Sequence, residues 1–250
     1  MKKVIAFDLD DTITITKSPV DDKMAVLLLK LLDIFQVCVI SGGKFEQFYQ
    51  QLISRLNAKP EQLVRLHIMP TCGTSYYRYS LHEQDWVKIY AEDFSKAEKV
   101  KIITQLSKAA KALGYWEAKP YGEIIEDRGS QITFSALGQE APPEEKYKWD
   151  LDGVKKYAIR DKAAVKLPEF EVRVGGSTSV DITRLGIDKG YGMRKLMEVL
   201  KINKREILFI GDRLEEGGND YPVKALGIDT LAVTNWQETA IVVESIIKVY

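Results

Sequence analysis

"VIAFDLDDTIT", residues 4–14, is an apolar run of strand length that ends in three carboxylates within four positions, Asp8, Asp10 and Asp11, followed by the Thr12 hydroxyl. Carboxylates so close together repel one another, and a strand end has no need of them. The run therefore reads as a buried strand whose carboxyl end is either a solvated acidic turn or a place where something positive sits. What the neighbouring strands bring to the same edge decides between the two.

The next elements alternate. "DDKMAVLLLKLLDIF" has Met24, Leu27, Leu28, Leu31 and Leu32 at helical spacing, with Asp21 and Asp22 where acidic residues favour a helix N-terminus. "QVCVI" is a second buried strand, "GGKFEQFYQQLISRL" a second amphipathic helix and "LHIMP" a third strand. This β-α-β-α-β order predicts a doubly wound parallel sheet. The end of the chain returns to it, with a helix in "GYGMRKLMEVLKI", a strand in "EILFIGD", a helix in "NDYPVKALG", a strand in "IDTLAV" and a closing helix in "NWQETAIVVESIIKVY".

The middle is different. "YYRYS" and "WVKIY" read as a hairpin, and "SKAEKVKIITQLSKAAKAL" as a long helix. "EIIEDRGSQITFSAL" alternates with period two and breaks at Arg128-Gly129-Ser130; "APPEEKYKWD" leads into a helix through about Val165; "FEVRVGGSTSVDIT" turns at Gly175-Gly176. Hairpins with segregated helices make an α+β unit. The expected fold is an α/β core, residues 1–81 and 185–250, interrupted by an α+β cap at 82–184.

Composition excludes several classes. Lys+Arg and Asp+Glu both number 36, so no global charge argues for nucleic acid. The two cysteines form no C-x-x-C pair, Cys38 lies in an apolar run, and His67 and His82 are scattered, so structural roles are expected for them. No stretch approaches the ~20 apolar residues of a membrane span. The N-terminus enters a strand at once, and the expectation is a soluble cytoplasmic protein with no membrane partner. Gly42-Gly43-Lys44 does not make a nucleotide-binding phosphate loop, because Cys38 stands where the first glycine of that pattern belongs.

In open α/β sheets ligands lie beyond the carboxyl ends of the strands. There the sequence places Asp8, Asp10, Asp11 and Thr12 after the first strand, and Ser41, Gly42 and Gly43 after the second. It places Asp212 and then Asn219-Asp220 after "EILFIGD", and Lys189 just before a helix. Oxygen ligands without soft donors suit Mg²⁺, and a cation would keep Asp8 and Asp212 ionised side by side. Asp11 is expected to be a turn residue.

The set D-x-D-x-T at Asp8 to Thr12, Ser41, Lys189 and G-D…N-D at Gly211-Asp212 and Asn219-Asp220 resembles the haloacid dehalogenase superfamily of phosphoryl-transfer enzymes. The resemblance implies Asp8 as nucleophile and Asp10 as general acid and base. It implies Mg²⁺ on Asp8, the Asp10 carbonyl and Asp212, supported by Asp220 and by Asn219 beside it. Ser41, with Gly42 and Gly43, and Lys189 would hold the phosphoryl oxygens. The place of the insertion matches the α+β cap of subclass IIB. The segments "ISGGKFEQF", "EDRGSQITFSALG", "GGSTSVDIT", "IDKG" and "GDRLEEGGNDYPV" are similar to those of eukaryotic-type phosphomannomutases, whose cap grips a sugar phosphate. By that likeness Arg128, Lys146, Ser179 and Asp181 would bind substrate. Three positions where further arginines are expected hold Lys17, Gln139 and Lys146. Lysine keeps the charge without the bidentate fork, and glutamine loses the charge. The expected activity is therefore a Mg²⁺-dependent phosphatase of small phosphorylated metabolites such as sugar phosphates. A mutase interconverting hexose 1- and 6-phosphates is the alternative, and a non-enzymatic phospho-acceptor switch a third reading. A homodimer through the cap is left open.

Overall fold

The computed structural model describes residues 1–250, the side chain of Pro143 excepted. In chain order the elements are β1 (Val4–Asp8), α1 (Asp22–Ile34), β2 (Gln36–Ile40), α2 (Phe45–Gln51), α3 (Pro60–Leu63), β3 (Leu66–Met69), β4 (Ser75–Ser80) and β5 (Asp85–Ala91). There follow α4 (Lys96–Ala112), β6 (Ile125–Asp127), β7 (Ile132–Ser135), α5 (Pro143–Trp149), α6 (Val154–Ala164), β8 (Phe170–Val174) and β9 (Ser179–Arg184). The chain closes with α7 (Lys189–Leu200), β10 (Ile207–Gly211), α8 (Tyr221–Ala225), β11 (Asp229–Ala232) and α9 (Trp236–Val249). No helix among the described residues is long and apolar enough to cross a membrane.

Two compact units emerge. The core unit is Met1–Ala91 with Asp188–Tyr250, and the cap unit is Glu92–Ile187. The core sheet runs β11-β10-β1-β2-β3-β4-β5. Its first five members are parallel, and β4 and β5 add to it antiparallel. β1 is buried along its whole length, as a central parallel strand must be. Its side chains alternate: Ile5 and Phe7 join Leu28 and Leu31 of α1 on one face, while Val4 and Ala6 join Met193 and Leu196 of α7 on the other.

The cap boundary expected at residue 82 is corrected by this topology. The hairpin of β4 and β5 belongs to the core sheet, because His67 pairs with Arg78, and Ile68 with Tyr77. Tyr77 also stacks on Phe45 of α2 with ring centroids 4.1 Å apart, and Tyr90 donates its hydroxyl to the Gly73 carbonyl at 2.9 Å. At the other end the cap unit runs to Ile187 rather than 184. The second helix is also shorter than its amphipathic pattern suggested. α2 stops at Gln51, and a 3₁₀ turn takes over at Ile53–Arg55.

The cap sheet runs β6-β7-β9-β8, antiparallel throughout. One face carries Ile132, Phe134, Val180 and Ile182, buried with Ile102 and Leu106 of α4 and Ile159 of α6. On the opposite face the register sets Glu126, Thr133, Asp181 and Arg173 in one row across the four strands. The region expected as one helix through Val165 is two, α5 and α6, parted at Asp150, which accepts hydrogen bonds from the backbone of Lys155 and Lys156.

Candidate active site

The parallel register brings the acidic strand ends together. Asp8 pairs with Ile40, so Ser41 follows on β2 at the same edge; Phe7 pairs with Ile210, so Asp212 follows on β10 at that edge too. Asp8, Asp212 and Asp220 each present a carboxylate oxygen within 4.8 Å of the others. Asp220 approaches because residue 211 is glycine: a Cβ there would lie 2.4 Å from Asp220 Oδ2. The Arg213 amide holds that same oxygen at 3.1 Å, and Thr12 Oγ1 donates to Asp212 Oδ1 at 3.3 Å.

Lys189 enters from the first residue of α7. Asp188 caps that helix by accepting from the Tyr191 amide at 2.7 Å. The helix comes close because residue 192 is glycine; a Cβ there would lie 2.3 Å from Ile40 Cδ1 and 2.7 Å from the Cys72 carbonyl oxygen. The Lys189 Nζ then stands 2.6 Å from Asp8 Oδ1 and 2.6 Å from Asp220 Oδ1, with 2% of the residue exposed.

The electrostatics of this group are unbalanced. Burial raises the Asp8 carboxyl above the usual carboxylate range, to about 7, with Lys189 pulling it down and Asp220 pushing it up. Asp212 is raised too, by burial and then by Asp220. Burial works against the Lys189 ammonium, but Asp8 and Asp220 outweigh it and raise its pKa. Three carboxylates thus share one ammonium in a site largely closed to water. A divalent cation on their oxygens would restore the balance, and a donor set of carboxylate oxygens without nitrogen or sulfur fits Mg²⁺.

Ser41 is 6% exposed, and its Oγ accepts from the Gly43 amide at 3.3 Å. The loop is held by the Cys72 amide on the Ser41 carbonyl and the Thr71 amide on the Gly43 carbonyl, both at 2.9 Å. Gly42 is half-buried, with open space where a Cβ would stand. Asp11 is a turn residue as expected: its φ is +57° and its carboxylate accepts from the Thr16 amide and hydroxyl. Asn219 is exposed beside the buried Asp220. His67 is a structural residue, fully buried between Tyr76 Oη and Gln36 Oε1.

Sequence reasoning missed the partners of Asp10. Its carboxylate accepts from the Lys17 amide at 2.9 Å and from the side-chain amides of Gln47 and Gln51, each at 3.0 Å. The signal was available as two glutamines four apart on the helix that follows Ser41.

In the cap unit, Arg128, Ser179 and Asp181 gather on or beside the polar sheet face. Arg128 donates Nη2 to Glu126 Oε2 at 2.7 Å and Nε to the same oxygen at 2.8 Å. Asp181 accepts from Thr133 Oγ1 at 2.7 Å, and burial raises its carboxyl against the opposing pull of Arg128. Lys146, on α5, gives its Nζ to the Gln139 carbonyl at 2.8 Å. The Gln139 Nε2 is buried without a hydrogen-bond partner.

Comparison with known proteins adds the following. A family model described as eukaryotic phosphomannomutase matches residues 24–249. The match begins after the Asp8–Thr12 motif, which the fold places independently. A phosphomannomutase of Encephalitozoon cuniculi is 25% identical over 233 residues, covering 89% of this chain and 84% of that protein. Among solved structures, IMP-bound Plasmodium falciparum IMP-nucleotidase aligns with a TM-score of 0.69 at 17% identity, over 99% of this chain and 68% of that one. A haloacid dehalogenase-like hydrolase from Bacteroides thetaiotaomicron aligns with a TM-score of 0.67 at 15% identity, over 98% and 100%.

Proposed function

This chain belongs to the eukaryotic phosphomannomutase family, within the haloacid dehalogenase superfamily, and we propose that it transfers phosphoryl groups through Asp8 so as to interconvert hexose 1- and 6-phosphates. The observation that carries this reading is the reach of the family match, which takes in the whole cap unit and all of the core from residue 24 to residue 249. The order expected from the sequence, hydrolysis ahead of isomerisation, is reversed on that account.

The roles proposed for the residues are those the family likeness implies, and the geometry supports them. A carboxylate oxygen of Asp8 attacks phosphorus, the phosphorus–oxygen ester bond breaks, and the ester oxygen leaves with the bonding pair and takes a proton from Asp10. In the return step an acceptor hydroxyl gives its proton to Asp10 and attacks the phospho-aspartate, and Asp8 leaves as a carboxylate. A sugar hydroxyl as acceptor gives isomerisation, and water gives hydrolysis. Lys189 at the Asp8 carboxylate and Ser41 at the neighbouring strand end stabilise the charge that spreads over the phosphoryl oxygens. A Mg²⁺ ion held by Asp8, the Asp10 carbonyl, Asp212 and Asp220 would add a fixed positive charge to those oxygens. Arg128, Lys146, Ser179 and Asp181 are the cap residues assigned to the sugar phosphate.

Hydrolysis is the second reading, favoured by two observations: Gln139 brings an uncharged amide where the cap would use a cation, and Arg128 already serves Glu126. Phosphorus NMR of mannose 1-phosphate with the chain, Mg²⁺ and a hexose bisphosphate activator tests the pair. The 6-phosphate should appear faster than inorganic phosphate. Inorganic phosphate outrunning the 6-phosphate would defeat the isomerase reading, and a chain that makes neither would defeat both.

A further inference from the structure

We infer that Gln47 and Gln51 are positioning residues that clamp the Asp10 carboxylate; the inference rests on the reading of Asp10 as the acid and base given above. The two side chains leave α2 one turn apart and reach the two oxygens of the carboxylate separately. Gln51 Nε2 donates to Asp10 Oδ1 and Gln47 Nε2 to Oδ2, both at 3.0 Å. The Lys17 amide adds a third donor to Oδ1 at 2.9 Å, from a residue with φ +56°.

Gln51 does more than touch the carboxylate. It is 3% exposed, its Nε2 also reaches the Ser18 carbonyl at 3.1 Å, and its own carbonyl accepts from the Val20 amide at 2.7 Å. One buried residue thereby ties Asp10 to the far end of the loop that joins β1 to α1. Its Oε1 is buried with no hydrogen-bond partner. A buried acceptor left unpaired is unfavourable, and an apolar side chain of similar length would avoid it. Only the two donated bonds, to Asp10 and to Ser18, offset that disadvantage.

The clamp matters because proton transfer needs a fixed geometry. An aspartate on a loop has several staggered χ1 states, and a general acid works from the one that reaches the leaving oxygen. Donors on both carboxylate oxygens select a single orientation before substrate arrives. Preorganisation of this kind converts an encounter between groups into a held contact.

The test compares leaving groups. A hexose 6-phosphate releases an alkoxide and needs the acid; 4-nitrophenyl phosphate releases a stable phenolate and does not. Gln47→Met and Gln51→Met keep the side-chain length and remove the donors. We expect kcat/KM for the sugar phosphate to fall about tenfold or more and that for the nitrophenyl ester to stay within about twofold, a fraction of the ~10²–10⁴ that general acid catalysis supplies. Asp10→Asn, run in parallel, should show the same split more strongly. Equal losses on both esters in Asp10→Asn overturn the acid role, and the clamp with it. The split in Asp10→Asn without one in the glutamine variants overturns the clamp alone. Gln47 is half-exposed, so its variant carries the test should Gln51→Met unfold. The folded wild type offers a further readout: the side-chain amide NMR signals of both glutamines should move on Asp10→Asn, and unmoved signals overturn the clamp.

Discussion

Lys189→Met removes the one ammonium from a group of three carboxylates, two of them buried. In the wild type its Nζ lies 2.6 Å from both Asp8 and Asp220, which are 4% and 0% exposed. Removing one partner of a buried ion pair costs about 3–5 kcal/mol, because the charge left behind has lost both water and its counter-ion. Here two carboxylates are stranded, so a loss at the upper end of that range is expected in chelator, where no cation substitutes. Methionine fills the space of the lysine stem, so little of the loss comes from packing. The assay is urea unfolding of wild type, Lys189→Met, Asp220→Asn and the double variant. The double variant should recover at least ~1 kcal/mol over the sum of the single losses, because an amide beside Asp8 no longer strands a second charge. Phosphoryl transfer should be lost by at least a hundredfold, on the order of one removed charge donor in a preorganised site. A single variant within about 1 kcal/mol of wild type, or strictly additive losses in the cycle, would refute the reasoning.

Asp8→Asn should leave unfolding near wild type and abolish the alkali- and hydroxylamine-labile phosphoryl-enzyme trapped by acid quenching with labelled substrate; a retained label would move the nucleophile elsewhere. Asp212→Ala, which removes one of three clustered oxygens, should raise the Mg²⁺ concentration needed for half-maximal turnover by about tenfold or more, and an unchanged requirement would remove Asp212 from the metal site. His67 gives a pH dependence of stability. Burial, with help from Arg78, lowers its pKa from 6.5 to about 3, so between those values the unfolded chain holds a proton that the folded chain does not. Its contribution is complete above about pH 6.5 and falls with pH by about 1.4 kcal/mol per unit, so His67→Gln should flatten the urea-measured slope between pH 6.5 and 5, and identical slopes would count against it. Gln139→Arg should raise the ratio of isomerised sugar to inorganic phosphate by roughly tenfold, the worth of one charge-assisted hydrogen bond, and a ratio that falls or stays put would remove position 139 from substrate retention.

Much of this was legible in the sequence, and the reasons are physical. A central parallel strand packed on both faces reads as a continuous apolar run, so "VIAF" and "ILFI" stood out, and the polar residues that end them were expected at the edge where such sheets bind ligands. The edge strands were harder to read. "YYRYS" and "WVKIY" form a hairpin, as expected, but nothing in a hairpin's local pattern says which sheet it will extend. Contacts outside the hairpin accompany that choice, of Tyr77 with Phe45 and of Tyr76 with His67, and local periodicity does not report them. The amide clamp on Asp10 escaped for a similar reason. Glutamines on a helix face usually meet water, and only the fold of the loop after β1 turns these two inward.

The division between isomerase and hydrolase is of another kind, because both use the same core chemistry. In the proposed mechanism Asp8, Asp10, Ser41 and Lys189 would form and break the phospho-aspartate whichever acceptor arrives. The choice of acceptor depends on how long a sugar carrying a second phosphate is retained, and that is a question of cationic contacts. The cap's resources for it are specific. The Nε and Nη2 of Arg128 both go to one oxygen of Glu126, so a phosphate recruited there meets a paired guanidinium rather than an isolated one. Lys146 carries a point charge engaged with the Gln139 carbonyl, and the Gln139 amide carries none. Each missing charge-assisted bond is worth about 1.5–3 kcal/mol, enough to shorten retention by about tenfold to a hundredfold. On the proposed reading, a weakened cationic cap should therefore give isomerisation with a measurable leak to water. The size of that leak would measure the cap separately from Asp8 and Asp10.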